Sequence, residues 1–309
     1  MDKVFTVAQV VAPIFVAIFL GVYAKRKQLV SEEGVKGMQQ FVMNFGLPCV
    51  VFNSLLTAQL GAEAVTSMAL VLPLMLLGTF WAFRARKKQF PYHNFPQLFA
   101  AQETGMLGIP LFMILFGADQ AYRMGVLDLA QAPAAFPVIA LLSSAAGTST
   151  SPSAVVKKVL TSPLLIMSVI ALTLNLSGIG AWMDAVGIGG VITESTGFLG
   201  TPVSAMMIFS VGYNFSLDKS SRGAIFKISA IHFVVQAVFC VIIQLLLFLV
   251  PNVDVLTRWA ILMYCTLPAS YVAPSLGRSK EDYTVASGVC SVLTVTSLIA
   301  FCIMAAVVA

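Results

Sequence analysis

Residues 100–117, with the sequence AAQETGMLGIPLFMILFG, are apolar enough to lie in a membrane, but they include a carboxylate and a proline. Glu103 stands among apolar neighbours, and Gly105, Gly108 and Pro110 follow it closely. These residues would destabilise a continuous lipid-facing helix, because proline removes a backbone donor and glycine weakens a helix. The stretch therefore predicts a helix that is interrupted inside the membrane.

The whole chain is as apolar as this stretch. Of its 309 residues, 59% are hydrophobic and 10% are charged, and the mean hydropathy is +0.92. Soluble domains have about 25% charged residues, so this composition is typical of an integral membrane protein. No interval between apolar segments is long enough for a separate soluble domain.

Ten apolar segments have the length that crosses a bilayer as a helix. Backbone groups in lipid need partners within their own segment, which favours helices over barrel strands of alternating polarity. We expect an all-α integral membrane fold of ten transmembrane helices, numbered in order at 4–24, 38–58, 63–83, 95–117, 123–146, 160–180, 191–214, 225–250, 255–276 and 283–308.

The net charge of +5 comes from basic residues concentrated in alternate loops. Fifteen of the 18 lysines and arginines follow predicted helices 1, 3, 5, 7 and 9, and the others are Lys3, Arg123 and Arg258. The positive-inside rule places those loops in the cytoplasm and both termini outside it. We interpret the charge as a topology signal, not a nucleic-acid surface, in a multi-pass protein of a cell membrane such as a bacterial inner membrane.

Three prolines of the first half pair in order with three prolines of the second half. The pairs, separated by 150, 154 and 158 residues, are Pro13 with Pro163, Pro48 with Pro202, and Pro110 with Pro268. The pairing predicts two five-helix repeats, residues 1–150 and 151–309. Because five is odd, the second repeat is inverted, as the alternating charge also requires. Chance matching of single prolines is the alternative.

Inverted repeats with interrupted helices at matching positions indicate a secondary transporter with its site at the membrane midplane. We expect helices 4 and 9 to break near Pro110 and Pro268. Half-helices beginning near Leu111 and Ala269 would then meet at the bilayer centre, each with unpaired N–H groups and the positive end of a helix dipole. The pattern predicts a binding site for a small anion.

The predicted site residues surround both breaks and the prolines of helices 2 and 7. The substrate-binding candidates are Glu103, Thr104, Gly108, Ile109, Pro110, Thr266, Pro268, Ala269, Ser270, Asn53 and Ser204. Glu103 and Gln102 are the coupling candidates, because an ionisable group at membrane depth is costly and by default functional. The alternative for Glu103 is a structural carboxylate bonded to a neighbouring helix.

The protonation state of Glu103 stays open in the sequence. Burial disfavours its charged form, whereas nearby half-helix N termini favour it. A negative substrate and an ionised Glu103 would repel each other, so binding of an anion favours a proton on Glu103. Proton coupling is therefore favoured over sodium coupling.

Other polar residues of the apolar segments are weaker candidates. Tyr264 and Tyr271 flank the predicted break of helix 9 and could touch a ligand. Asp128 and Glu194 are predicted near the outer ends of helices 5 and 7, in a solvated or interfacial role rather than in a site. For His232, isolated in helix 8, a buried structural role is favoured over a proton carrier.

The sequence lacks a nucleophile motif, a phosphate-binding loop and a metal-ligand cluster. Its five cysteines lie in apolar segments without metal-type spacing. We expect no enzyme activity, no catalytic residue, no metal site and no cofactor apart from a proton or sodium as coupling ion. The expected partners are a small organic anion and the lipid bilayer, without nucleic acid, and a homodimer is one assembly that the sequence allows.

Several stretches resemble the auxin efflux carrier (AEC) family of permeases, the prokaryotic relatives of plant auxin exporters. They are FVMNFGLPCVVFNSLL at 41–56, TGMLGIPLFMILFG at 104–117, KKVLTSPLLIMSVIALTLNLSGIG at 157–180, LPASYVAPSLG at 267–277 and VASGVCSVLTVTSLIAF at 285–301. The resemblance implies a scaffold of helices 1, 2, 6 and 7. It also implies a transport domain of helices 3–5 and 8–10 with crossed, broken helices 4 and 9, and elevator-type alternating access.

The resemblance further implies a permease for a carboxylate such as malate or malonate, or for an auxin-like aromatic acid. Glu103 departs from the family, which often has a small polar residue or asparagine there, so the substrate does not transfer directly. Two alternatives remain: a sodium-coupled carrier similar to bile acid–sodium symporters, and a membrane sensor that only binds the ligand.

Overall fold

The computed structural model describes residues 2–58, 62–145, 157, 160–215, 221–251 and 253–308. It is 84% helical and has no β-strand among these residues, which confirms the all-α class. The predicted boundary between the repeats at 150 and 151, and the basic residues Lys158 and Lys219, lie outside the described residues.

The helices follow the predicted apolar segments. In chain order they are α1 (Asp2–Lys27), α2 (Glu32–Phe41), α3 (Leu47–Leu56), α4 (Ala62–Lys88), α5 (Gln97–Ala100), α6 (Ile109–Phe116), α7 (Ala121–Ala145), α8 (Pro163–Leu176), α9 (Ile179–Ala185), α10 (Ile188–Gly200), α11 (Val203–Asn214), α12 (Arg222–Leu247), α13 (Val255–Thr266) and α14 (Lys280–Val308). Two π-helical turns, Val42–Gly46 and Thr104–Gly108, precede α3 and α6. Two 3-10 turns, Ala118–Gln120 and Ala273–Leu276, complete the set.

Five of the described helices are long and apolar enough to cross a membrane: α1, α4, α7, α12 and α14. A sixth span results if α8 and α9, which are bent by 78° to each other, are counted together. The protein is therefore a multi-pass membrane protein. Ten spans and an inverted repeat stay predictions.

The exterior of the bundle is apolar. Phe19 of α1, Leu176 of α8 and Leu245 of α12 expose 67%, 71% and 60% of their surface, respectively. Exposed apolar surface on this scale marks an interaction with lipid or another apolar partner. Contact with such an apolar environment explains why large apolar side chains lie outside the core of this protein.

Two helix pairs hold the bundle together along its length. Helix α1 packs against α11 so closely that a Cβ atom on Gly212 would lie 2.2 Å from the carbonyl oxygen of Ile18. Helix α3 packs against α8, where Asn175 donates to the carbonyl groups of Leu55, Leu56 and Ala58 at 2.7, 3.0 and 2.9 Å. This side chain satisfies acceptors that the end of a helix leaves free.

Pro110 does not break its helix, contrary to the prediction. The π turn Thr104–Gly108 runs directly into α6, and Pro110 is the second residue of α6. In this turn the Ile109 N–H donates to the Thr104 carbonyl five residues earlier, a wider spacing that accommodates a proline. Pro48 stands in the same position after the π turn Val42–Gly46.

The actual interruption lies earlier, at Ala101–Glu103, where the backbone of Ala101 is extended. We call residues 97–116 the first broken helix. The second broken helix, residues 255–276, is interrupted from Leu267 to Val272, so the predicted break at Pro268 is observed. Its helical part resumes at Ala273 rather than Ala269, and only as the 3-10 turn Ala273–Leu276.

A polar cluster fixes the loop between α4 and α5. His93 accepts a hydrogen bond from Arg86 through Nδ1 at 3.0 Å and donates through Nε2 to the Leu142 carbonyl at 3.1 Å. The His93 N–H donates to Asp282 Oδ1 at 3.0 Å. Burial lowers the pKa of His93, and the positive charges of Arg278 and Arg86 lower it further against the opposing Leu142 hydrogen bond. The neutral imidazole is therefore the form that this loop stabilises.

Candidate functional site

The two broken helices cross at their interruptions and pair through the backbone. Gln102 faces Ala269 in an antiparallel bridge. The Glu103 N–H donates to the Pro268 carbonyl at 2.8 Å, and the Ser270 N–H donates to the Ala101 carbonyl at 3.0 Å. Backbone groups of an interrupted helix have no partners of their own and are costly to bury. Each break thus supplies the partners that the other lacks.

The carboxylate of Glu103 connects both broken helices. Its Oε2 accepts the Tyr271 N–H at 2.7 Å, and its Oε1 accepts the Met106 N–H at 3.2 Å. The side chain is 8% exposed. Glu103 therefore caps the second half of the first broken helix and also holds a donor of the second. A carboxyl group of the protein itself thus takes backbone donors from both broken helices.

Gln131 of α7 organises the polar side of the crossing. Its Oε1 accepts from the Gln102 N–H at 2.7 Å and from the Tyr264 hydroxyl at 2.9 Å. Its Nε2 lies within hydrogen-bond distance of the Gln102 carbonyl, the Thr104 hydroxyl and Asp128 Oδ1, at 3.1, 3.1 and 2.9 Å. Sequence reasoning missed Gln131. The signal was present, since Asp128 and Gln131 are three positions apart and share one face of an apolar helix.

Asp128 belongs to this cluster, so its predicted solvated position near the outer end of helix 5 is wrong. It is half-buried. The Thr104 hydroxyl and the Gln131 amide both donate to its Oδ1. A carboxylate with two such donors is positioned by the protein, and the crossing therefore contains two acidic side chains, Glu103 and Asp128.

Side chains of α14 contact the interrupted part of the second broken helix. The Tyr271 hydroxyl and the Thr294 hydroxyl are 2.7 Å apart, and the Ser297 hydroxyl donates to the Thr266 carbonyl. The Cys290 thiol lies 3.6 Å from the Ala269 carbonyl oxygen. These contacts bind carbonyl groups that the extended segment leaves free of helix bonds.

Five predicted site residues meet at the crossing: Gln102, Glu103, Thr104, Ala269 and Ser270, with the Pro268 carbonyl between them. Gly108 has a packing role, because a Cβ atom there would lie 2.6 Å from Leu267 and 2.8 Å from Met124.

Three other predicted residues do not present polar groups to the crossing. Ile109 is completely buried in the apolar core, and Pro110 is buried beside it. The Thr266 hydroxyl donates to the Met263 carbonyl of its own helix at 2.7 Å.

Asn53 and Ser204 lie on α3 and α11. The Asn53 amide donates to the Thr193 carbonyl at 3.1 Å and accepts from the Thr196 hydroxyl at 2.6 Å, so its hydrogen bonds go to α10. Ser204 is half-buried on α11.

A cavity of about 460 Å³ lies between α3, α10 and the end of α6. Its described lining includes the carboxylates of Asp119 and Asp184, the Asn53 amide and the Thr57 hydroxyl, but no lysine or arginine. In the predicted topology this cavity opens outside the cytoplasm. Asn53 lines this cavity, which we call the outer vestibule after that predicted topology.

Apolar spans that enclose two interrupted, polar helices are the architecture of membrane transporters. The described part of the chain has both features, and it defines a multi-pass membrane transporter.

The first half of the chain carries the family assignment. Residues 6–151 match the model of the family described as membrane transport protein, which includes the auxin efflux carrier permeases. This match confirms the predicted resemblance over residues 6–151. The family consists of transporters and not of enzymes. None of the curated proteins compared with the chain matches it.

Proposed function

We propose that the protein is a secondary active transporter of a small organic anion, coupled to protons. Its substrate class would be carboxylates such as malate and malonate, or an auxin-like aromatic acid. The observation that carries this proposal is the carboxylate of Glu103, which accepts N–H groups from both broken helices at 2.7 and 3.2 Å.

The anionic substrate class follows from the donors at the crossing. The backbone N–H groups of Tyr271 and Met106 are held in position by the fold and already accommodate a carboxyl group. Such backbone donors favour negative charge without a cationic side chain. A substrate carboxylate that takes these N–H groups must first displace Glu103.

This displacement supports proton coupling. Two ionised carboxylates about 4 Å apart repel each other by about 4 kcal/mol at an effective dielectric constant of about 20. Like charge at close range favours the protonated form of one partner. A substrate anion that replaces the Glu103 carboxylate would therefore bind together with a proton on Glu103, and anion and proton would cross the membrane together.

The packing of the helices supports an inverted repeat and elevator-type movement. Helix α1 packs on α11, and α8 packs on α3. In the predicted numbering, helix 1 packs on helix 7, and helix 6 packs on helix 2. Helices 1 and 6 are equivalent in the two repeats, as are helices 2 and 7, so the two contacts are equivalent as well. Likewise, α4 packs on α7 in the first half and α12 on α14 in the second. The outer vestibule lies where the scaffold, helices 1, 2, 6 and 7, would meet the moving domain.

Transport by the purified protein in proteoliposomes tests the proposal. Vesicles would take up labelled malonate, malate or indole acetate under an imposed pH gradient, with and without sodium, and in counterflow. We expect pH-driven accumulation that does not need sodium. Accumulation that needs sodium but no pH gradient would favour the sodium-coupled alternative, and binding without counterflow would favour a sensor.

Glu103→Gln gives the decisive comparison, because the amide cannot exchange a proton. The variant should retain counterflow and lose pH-driven accumulation. Glu194→Gln is the matched control, since Glu194 is exposed on α10 and the same substitution should leave both activities intact. Normal pH-driven accumulation by Glu103→Gln would overturn proton coupling through Glu103.

A further inference from the structure

One face of α12 carries polar residues toward the first broken helix. Ser229, His232 and Gln236 are separated by three and four positions, which places them on the same side of the helix. They are 4%, 1% and 1% exposed. The imidazole ring of His232 packs 5.3 Å from the ring of Phe99 in α5. The polar face therefore lies against α5.

Four buried side-chain atoms of α5 and α12, the helices that meet at Phe99 and His232, have no hydrogen-bond partner among the described residues. They are Oε1 and Nε2 of Gln97, Oγ of Ser229 and Nε2 of His232. Gln97 is the first residue of α5 and is completely buried. We call Gln97, Ser229 and His232 the polar seam.

The hydrogen-bonding needs of the seam are specific. His232 is bonded to the Leu98 carbonyl, and because its Nε2 is unpartnered, Nδ1 is the donor and Nε2 is a free acceptor. Gln97 needs both a donor and an acceptor, and the Ser229 hydroxyl can serve as either. A metal cation cannot satisfy the Gln97 amide nitrogen. Water supplies donors and acceptors together and makes about three hydrogen bonds when buried.

We propose that ordered water molecules fill the polar seam and bridge α12 to α5. Buried polar atoms without a partner are costly and rare in native proteins. Water between Gln97, Ser229 and His232 removes that cost, whereas the surrounding apolar side chains of Phe95, Phe99 and Ile228 cannot.

The polar seam continues to the crossing. One turn beyond His232, the Gln236 amide donates to Gln102 Oε1 at 2.5 Å, in the amide orientation of Gln102 that satisfies its neighbours. In that orientation Gln102 Nε2 donates to the carbonyls of Leu267 and Pro268 at 3.1 and 3.2 Å. The polar face of α12 therefore continues through the amides of Gln236 and Gln102 as a polar path to the residue beside Glu103.

The path gives the seam a role in transport, and this role rests on the proposed function. In the predicted topology α12 begins in the cytoplasm, so the seam lies on the cytoplasmic side of the crossing. Lys227, exposed two residues before Ser229 on α12, places its ammonium 5.1 Å over the ring of Phe90. Glu103, Asp128, Tyr271 and Cys290 are ionisable groups of the crossing, at the inner end of the seam. Water here would carry protons between the cytoplasm and the crossing.

Radiolytic hydroxyl-radical labelling tests the water directly, because radicals formed from ordered internal water modify the side chains beside it. Purified protein in nanodiscs would be exposed briefly to X-rays and analysed by mass spectrometry. We expect labelling of His232 and Phe99, although both are 1% exposed. The matched controls are Phe112 and Phe301, which are 0% and 1% exposed and should stay unmodified. Equal labelling at all four positions, or none at His232 and Phe99, would overturn the proposal.

Replacement of Gln97 by an apolar residue is an independent test of the same water. If the seam were dry, Gln97→Met would remove two unpartnered atoms and raise Tm. With water present, the substitution takes away hydrogen bonds that water makes, and Tm should fall or stay unchanged. A rise in Tm contradicts the water site.

The proton role has its own readout. Ser229→Ala and His232→Phe should lose most of the pH-driven accumulation and keep counterflow, which needs no net proton movement. If unmodified protein shows no pH-driven accumulation while His232 and Phe99 are labelled, the proposed function fails and the water site stands. Normal pH-driven accumulation in both variants would refute the proton role.

Discussion

The carboxylate of Glu103 accepts the backbone N–H of Tyr271 at 2.7 Å, across 168 positions of the sequence. This bond joins the interruptions of the two broken helices through an ionisable side chain. It makes Glu103 both a structural bridge and the occupant of a carboxylate position. The first prediction separates these two properties.

Glu103→Ala should vacate a carboxylate position that small anions can refill. The variant loses two hydrogen bonds to a charged group, each worth about 1.5–3 kcal/mol, so its Tm should fall. Acetate or formate should then raise the Tm of Glu103→Ala and leave that of the unmodified protein unchanged. Glu194→Ala, at an exposed carboxylate, controls for the general effect of the salt. A lack of rescue would mean that the position does not accept a free carboxylate.

Gln131 should be more important for stability than its neighbour Tyr264. Gln131→Leu leaves the Gln102 N–H and carbonyl without the amide that bonds both, and each buried unsatisfied group costs about 1–3 kcal/mol. Tyr264→Phe removes a single bond to Gln131 and should cost about 1 kcal/mol. Urea unfolding in detergent measures both losses. Equal losses for the two variants would show that Gln131 is not the centre of the cluster.

The prolines of the two broken helices should differ in effect. Pro110 lies in a continuous helical segment after the break, so Pro110→Ala should transport almost normally. Pro268 lies within the break and biases Leu267 toward its extended conformation, so Pro268→Ala should transport poorly at similar expression. Proteoliposome uptake measures both. A larger loss of uptake in Pro110→Ala than in Pro268→Ala would instead indicate a functional interruption at Pro110.

Stability should decrease as the pH falls below about 6.5, the usual pKa of histidine, because the pKa of His93 is lowered in the folded protein. In that range the unfolded chain binds a proton more readily than the folded one, so acid favours unfolding. Protonation also turns Nδ1 into a donor facing Arg86. Tm measured between about pH 8 and pH 5 should show this loss.

His93→Gln is the comparison for the pH experiment. It removes the titrating group of the loop, so its Tm should depend less steeply on pH than that of the unmodified protein. Identical slopes would assign the acid sensitivity to other groups.

Both termini should lie outside the cytoplasm, because 15 of the 18 basic residues fall in alternate loops and the predicted number of helices is even. A reporter that is active only in the cytoplasm, fused after Ala309, should remain inactive. The same reporter inserted between Lys87 and Lys88 should be active. A signal from the C-terminal fusion would contradict the topology and the inverted repeat together.

Composition and local pattern were sufficient for the class of protein. The low charge content predicted a membrane protein, and the apolar segments predicted its helices. The carboxylate, glycines and proline of residues 100–117 predicted an interrupted helix that contains Glu103. These inferences succeed because burial in lipid depends on residue type, and because a carboxylate in an apolar segment is costly wherever its partners lie.

The position of the break and the partners of Glu103 depended on tertiary structure. Pro110 was a misleading local signal, because a π turn absorbs it. The true interruption at Ala101–Glu103 is stabilised by Pro268 and Ser270 of the other broken helix, and Asp128 and Gln131 reach the crossing from α7. Backbone groups of a broken helix must find partners wherever the fold provides them. The sequence alone therefore determined that a break with a carboxylate exists, and only the packing of distant segments decided where it lies and what it binds.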